Sequence, residues 1–274
     1  MELQVEAEVE RLAHARTRLQ KAGVEAAAAC VVLGSGLKTF GETLTNPLSV
    51  SFDDVPEFPR PRVAGHGGEL IQGTIGDTLV HCLTGRVHLY EGWHPWELVR
   101  AVRTVALLGT GTFVLTNAAG GVREDLAPGD LMLIRDHLNL TGKNVLCGEH
   151  HDALGPRFPP MSEVYCAHAR ARLHSLDPKL VEGVYCQVSG PSYETPSEVK
   201  MIGLLGGDAV GMSTVPEAVA LRAMGKRVVG LSLITNRAAG LSAVAPNHEE
   251  VIAEGKKAAQ RMERLLTAAI PALA

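Results

Sequence analysis

The stretch Val210-Gly211-Met212-Ser213-Thr214-Val215-Pro216-Glu217 decides the fold class. The apolar residues before Ser213 read as a short buried strand, and Pro216 opens a helix, a place that suits its fixed φ and missing N–H. A small hydroxyl is thereby delivered to the carboxyl end of a strand, the edge at which open α/β sheets hold their ligands. The same plan recurs along the chain. Residues 27–33 form a continuous apolar run that stops at Gly34-Ser35-Gly36. A strand over 78–84 leads to Gly85-Arg86, and a β-branched strand over 112–116 is expected to stop at Asn117-Ala118-Ala119-Gly120-Gly121. Further strands are expected over 131–135, 181–188 and 227–235, the last ending at Asn236. Helical spacing covers 5–22, with Gly23 as its terminator, and 96–108. Thr195-Pro196-Ser197-Glu198 has the pattern of a capping box, as does the start of the last helix at Asn247-His248-Glu249-Glu250. Buried strands alternating with helices predict an α/β fold: a single domain over 1–274 with a mostly parallel, twisted mixed sheet flanked by helices on both faces. Residues 141–160 read as a long loop, and loops of that length usually serve function.

Composition narrows the function classes. Hydrophobic residues make up 46% of the 274, enough for a sizeable core. The net charge of −4 comes with no dense Lys/Arg cluster, which argues against a nucleic-acid surface. Aromatics at 4% are too few for base-stacking platforms. No apolar run has the length of a membrane span, and no basic stretch followed by an apolar one marks a secretory signal. Cys30, Cys82, Cys147, Cys166 and Cys186 are scattered and odd in number, which predicts reduced core thiols in a cytoplasmic protein. His150 and His151 near Cys147 match no zinc spacing, so a polar loop is the better reading.

Several loop tips carry groups suited to an oxyanion. Gly34-Ser35-Gly36 can bring backbone N–H groups and a hydroxyl to an anion, although it matches neither a P-loop nor a dinucleotide fingerprint. Arg86 can clamp a phosphate with two hydrogen bonds. If the chain there is extended, Arg86, His88 and Tyr90 share one side. The small residues 117–121 either expose main-chain N–H groups or allow close helix packing. Glu194 and Asn236 together can read a heterocycle bearing donors and acceptors. Each also has a bland reading, Glu194 as an acid near a helix N-terminus and Asn236 as a turn residue.

Taken together, Gly34-Ser35-Gly36-Leu37, Gly65-His66, Gly85-Arg86-Val87-His88-Leu89-Tyr90-Glu91-Gly92, Thr116-Asn117-Ala118-Ala119-Gly120-Gly121, Gly190-Pro191-Ser192-Tyr193-Glu194-Thr195, 211–217, Thr235-Asn236 and 247–250 resemble the trimeric purine nucleoside phosphorylases, in order and over nearly the whole chain. The resemblance implies cleavage of a purine (2′-deoxy)ribonucleoside by phosphate to free base and (deoxy)ribose 1-phosphate, as in purine salvage, by a cytoplasmic homotrimer with no metal or organic cofactor. It implies that Ser35, Arg86, His88, Ala118 through its backbone, and Ser213 hold phosphate, with His66 nearby. It places Tyr90, Met212 and His248 at the ribose and Tyr193, Glu194 and Asn236 at the purine. Asn236, His88 and Glu194 would carry the chemistry. The asparagine favours 6-oxopurines, whereas the related methylthioadenosine phosphorylases, the alternative reading, resemble this chain but carry aspartate there. A hydrolase lacks support, since no carboxylate cluster for activating water is evident, and a non-catalytic nucleoside-binding protein would not need Arg86, His88 and Asn236 together. Where the family often brings an aromatic from a neighbouring subunit, the best alignment sets Leu154, ahead of Arg157-Phe158-Pro159. Tyr193 stands where phenylalanine is common, and the small residues of 238–246 suit a lid.

Overall fold

The computed structural model describes residues 4–34, 39–62, 68–242 and 248–273, the side chains of 248–259 excepted. Ser35 and His66 lie outside the described residues, as does the side chain of His248. The elements run α1 (Val5–Lys21), β1 (Ala29–Val32), α2 (Thr39–Glu42), β2 (Thr45–Ser51), β3 (Glu69–Ile75), β4 (Thr78–Leu83), α3 (Pro95–Leu98), α4 (Arg100–Leu107), β5 (Thr112–Gly121), β6 (Leu131–Asn139), α5 (Ala167–Leu176), β7 (Val181–Gln187), α6 (Pro196–Leu204), β8 (Ala209–Gly211), α7 (Val215–Ala223), β9 (Arg227–Arg237) and α8 (His248–Leu273).

Among the described residues nine strands join one mixed sheet in the order β2-β3-β4-β1-β5-β8-β7-β6-β9, and an added β5–β9 pairing closes its second half on itself. Five strand pairings are parallel and four antiparallel. The expected α/β architecture is therefore present. β1 is buried along its whole length: β4 and β5 pair with its two edges, and its side chains alternate between two cores, Cys30 and Val32 in one and Ala29 and Val31 in the other. One face of the sheet packs on α1, α3, α4 and α7, and the other on α5 and α8, which gives a core on each side. Among the described residues no helix is long and apolar enough to cross a membrane.

Several sequence expectations need correction. The strand from Thr112 does not stop at Asn117 but continues to Gly121. β9 pairs with it along that length, through a register shift at Ala119/Gly120, and β8 then takes up Gly120 and Gly121 from the other side. Small side chains there permit close pairing rather than ending the strand. Likewise β6 continues past Arg135 to Asn139, held by β7. The expected helix over 96–108 is two helices, broken at Val99 (φ −106°, ψ 3°). β2, β3 and α5 lack a clear period and are not evident from sequence alone. Of the free cysteines, Cys30, Cys82 and Cys186 are buried as expected, but Cys147 is exposed and Cys166 half-buried.

α1 shows how the apolar stripe conceals a charge. Val5, Glu8, Leu12, Ala15 and Leu19 form its buried face, and Gly23 follows at φ 91°, a left-handed conformation glycine adopts freely. On β4, His81 is fully buried, with Nε2 3.3 Å from Gln72 Oε1 and Nδ1 3.4 Å from Thr110 Oγ1. Burial pushes its pKa from 6.5 down to about 4. The unfolded chain therefore binds this proton more readily than the folded one. Stability is intact above pH 6.5 and falls as the pH drops toward 4. The expected loss at pH 4.5 is about 2–3 kcal/mol. Urea unfolding at pH 7 and 4.5 of wild type and His81→Gln checks this. An equal pH-dependent loss in the variant would show that His81 is not the titrating group.

Candidate active site

A cleft offering about 120 Å³ to water gathers residues from the carboxyl ends of β1, β4, β7, β8 and β9 and from the second half of β5. Its lining includes Arg86, His88, Tyr90, Ala118, Tyr193, Glu194, Met212, Ser213 and Asn236. Of the twelve residues singled out from sequence, these nine converge on one place. The other three are Ser35, His66 and His248.

Gly34 sets the cleft at the end of β1. Its N–H donates to Thr116 Oγ1 at 2.9 Å, and an added Cβ would stand 2.8 Å from Asn117 Cα, so only glycine fits without movement. Past β4, Arg86 is buried and held on three sides. Nε donates to Glu217 Oε1 at 3.0 Å, and Nη1 donates to the Thr116 carbonyl at 2.6 Å and, at 3.5 Å, to Ser213 Oγ. Nη2 has no partner among the described residues.

The chain from Arg86 to Tyr90 is not fully extended, because Leu89–Glu91 forms a single 3₁₀ turn. That turn stacks the rings of His88 and Tyr90 at 4.8 Å and 12°. Glu91 accepts from the His88 backbone N–H at 2.7 Å and lies 3.0 Å from His88 Nδ1, which fixes the ring. Burial raises the Glu91 carboxyl, but hydrogen bonds from His88 and the Arg62 backbone outweigh it and hold the pKa below the usual value.

Ser213 and Thr214 cross from β8 to α7. Thr214 holds φ 81°, ψ −47°, a conformation costing about 1–3 kcal/mol that persists only where its surroundings enforce it. Those surroundings are Asn117 Nδ2, which donates to Thr214 Oγ1 at 2.9 Å, Gln187 Oε1, which accepts from Val215 N at 2.9 Å, and the Tyr185 hydroxyl, which accepts from Ser213 N at 3.4 Å. Gly190 (φ 67°) packs against the same wall, where an added Cβ would lie 2.4 Å from Met212 Sδ and 3.0 Å from Tyr90 Cδ1.

At the other end, the Thr195 capping box forms as expected and fixes the start of α6 directly after Tyr193 and Glu194. Burial, and then the Glu198 charge, raise the Glu194 pKa above the ordinary carboxylate value, against a lowering by its own backbone N–H. Asn236 Oδ1 accepts from Thr235 Oγ1 at 2.9 Å, and Nδ2 donates to the Arg237 carbonyl at 2.9 Å. It is therefore an oriented amide and not the end of a turn, since β9 runs on to Arg237. Of 238–246, only 238–242 are described. Leu154 closes a 3₁₀ turn and lines a separate groove with Val5, Trp96 and Arg103, whereas Phe158 is 88% exposed.

Sequence reasoning missed the supporting residues. Glu217 stood in the opening motif, but reads as an ordinary first-turn acid. Asn117 reads as one of a small-residue run. Tyr185 and Gln187 sit two apart in a buried strand, the single hint that both face one side.

The family model described as the phosphorylase superfamily matches residues 28–271. The chain is 42% identical over 231 residues to purine nucleoside phosphorylase 1 of Geobacillus stearothermophilus, covering 83% of this chain and 84% of that one. It is 45% identical over 237 residues to the purine nucleoside phosphorylase of Mycobacterium leprae, covering 86% of each. The crystal structures of Schistosoma mansoni purine nucleoside phosphorylase with inosine and with adenosine superpose with a TM-score of 0.90, at 33% identity and 96% coverage of both chains. The chain belongs to the phosphorylase superfamily, among its purine nucleoside phosphorylases.

Proposed function

We propose that this protein cleaves purine (2′-deoxy)ribonucleosides with inorganic phosphate, preferring 6-oxopurines such as inosine and guanosine, and releases the free base and (deoxy)ribose 1-phosphate for purine salvage. The observation that carries the reading is the meeting, in one cleft, of Arg86, His88 and Ser213 with Tyr90, Met212, Glu194 and Asn236. The first group suits a phosphate, together with Ser35, His66 and the backbone of Ala118. Tyr90, Met212 and His248 accommodate the sugar. Tyr193, Glu194 and Asn236 take the base.

The chemistry follows from charge. The glycosidic bond stretches toward a sugar cation like that of glycoside hydrolysis. A phosphate oxygen held beside the anomeric carbon stabilises that cation and then bonds to it, while the bonding pair leaves with the purine. The purine gathers negative charge, which Asn236 can receive at N7 through a donated N–H. Preorganised dipoles supply the rate enhancement, so the reading calls for no metal, no organic cofactor and no covalent enzyme intermediate. It also includes a homotrimer and a cytoplasmic location.

Inosine incubated with and without phosphate tests the reaction. Hypoxanthine is expected to appear with phosphate alone, and equal release without it would make the protein a hydrolase. For the base preference, the amide at 236 can meet a 6-oxo group and share the charge that develops. The Schistosoma mansoni relative has been crystallised with adenosine as well as inosine, so that protein can bind either nucleoside. We therefore expect the preference in turnover: about tenfold or more in kcat/KM for inosine over adenosine, the scale of one hydrogen bond to a developing charge. Comparable values would defeat it.

A further inference from the structure

Arg86 carries a buried positive charge, and the way that charge is held points to a residue no role has been given. Glu217 lies in the first turn of α7, 5% exposed, and its Oε1 accepts from Arg86 Nε at 3.0 Å. Its side chain is 7% exposed and that of Arg86 2%, so solvent screens the pair little. A buried ion pair is poor at stabilising a fold, because desolvation offsets much of the attraction. What such a pair can supply instead is orientation. The geometry here is suited to that. With Nε on Glu217 and Nη1 on the Thr116 carbonyl and Ser213 Oγ, the plane of the guanidinium is fixed, and the two N–H groups of Nη2 are left without a partner among the described residues. The helix that supplies Glu217 also begins directly after Ser213 and the strained Thr214. One rigid element therefore sets both the Ser213 hydroxyl and the plane of Arg86.

We propose that Glu217 is a positioning residue for the phosphate half of the reaction: it holds the plane of the Arg86 guanidinium so that an Nη2 N–H meets the incoming oxyanion. The proposal rests on the phosphorolysis reading above. It places Glu217 outside contact with nucleoside or sugar, so its loss acts on phosphate use alone. A neutral acceptor of the same shape retains the Nε bond, whereas a methyl group or a shortened acid does not.

The experiment uses the full chain. Wild-type activity with and without phosphate is measured first, so that failure of the reaction itself is seen separately. Initial rates are then recorded for Glu217→Ala, Glu217→Asp and Glu217→Gln, varying phosphate at saturating inosine and inosine at saturating phosphate. Thermal shift on adding inorganic phosphate alone gives a readout independent of turnover. Glu217→Ala is expected to raise the KM for phosphate tenfold or more while moving the KM for inosine less than threefold, and to lose the phosphate-induced thermal shift. Glu217→Gln is expected to recover most of both, and Glu217→Asp little. If Glu217→Ala folds and keeps the wild-type phosphate KM, the proposal is wrong. It is equally wrong if Glu217→Gln shows both KM values rising together with a lower melting temperature, the pattern of a purely structural role. Should Glu217→Ala fail to fold, the Gln and Asp variants decide by the same split.

Discussion

Asn236→Ala is expected to lower turnover of inosine by about 10²–10³-fold, the range found when a donor to a developing anion is removed. The reasoning starts from the amide's surroundings. Asn236 sits in the last residues of β9, half-buried, with Oδ1 accepting from Thr235 and one Nδ2 hydrogen given to the Arg237 carbonyl. A second Nδ2 hydrogen remains for the leaving base. Truncation disturbs little else: Thr235 Oγ1 keeps the Ala119 carbonyl at 3.4 Å, and Gly120 lies close by with no side chain to displace. The melting temperature is thus expected to stay within a few degrees of wild type. Steady-state kinetics beside thermal unfolding reads both. Wild-type turnover in the variant would remove Asn236 from the mechanism.

The largest stability effect is expected far from the cleft. Glu8 is fully buried and grips Arg100 with both oxygens, Oε1 on Nε and Oε2 on Nη2, each at 2.8 Å. Arg100 Nη1 also donates to the Glu57 carbonyl at 2.6 Å. Arg103, one turn along α4, is buried too, and its Nε and Nη1 have no partner among the described residues. Burial lowers its pKa to about 10, and the Glu8 charge opposes that shift. Glu8→Ala leaves Arg100 with Glu97 Oε1 at 4.0 Å as its remaining carboxylate and deprives Arg103 of the charge that eases its burial. A loss of about 3–5 kcal/mol is expected, as for a broken buried pair. Glu8→Leu combined with Arg100→Met is expected to recover part of this but not all, because Arg103 stays uncompensated. Chemical denaturation of the three proteins measures it. A loss under about 1 kcal/mol in Glu8→Ala would mean that the pair is solvated in practice.

Glu8 also shows where sequence reading falls short. The apolar residues of the helix, Val5, Val9, Leu12 and Leu19, do not include it, and the buried face through Glu8 and Ala15 emerges only from packing; a glutamate beside an apolar stripe reads as a flanking charge until its partner is known. That partner is 92 residues away. The site divides in the same manner. Ser213, Arg86, His88 and Asn236 stood out because each is a chemically distinctive residue just after an apolar run, and apolar runs can be seen locally even where the strand itself extends further. Glu217, Asn117, Tyr185 and Gln187 did not, because what makes them matter is a neighbour 28 to 131 residues away. The 3₁₀ turn at Leu89–Glu91 was likewise hidden. It depends on Glu91 reaching back to His88, and an extended chain would have satisfied the same letters.

By itself, then, the amino-acid order determined the local matters: which apolar runs are buried strands, where α1 begins and stops, where α6 begins, and which loop tips carry groups for an anion. These follow from period, capping and backbone sterics, all of which act within a few residues. Tertiary structure alone decided how far β5 extends, that the sheet closes through β5 and β9, and which carboxylate faces which guanidinium. Strand pairing and buried charge are settled by distant partners, whose desolvation has no counterpart in a window of sequence.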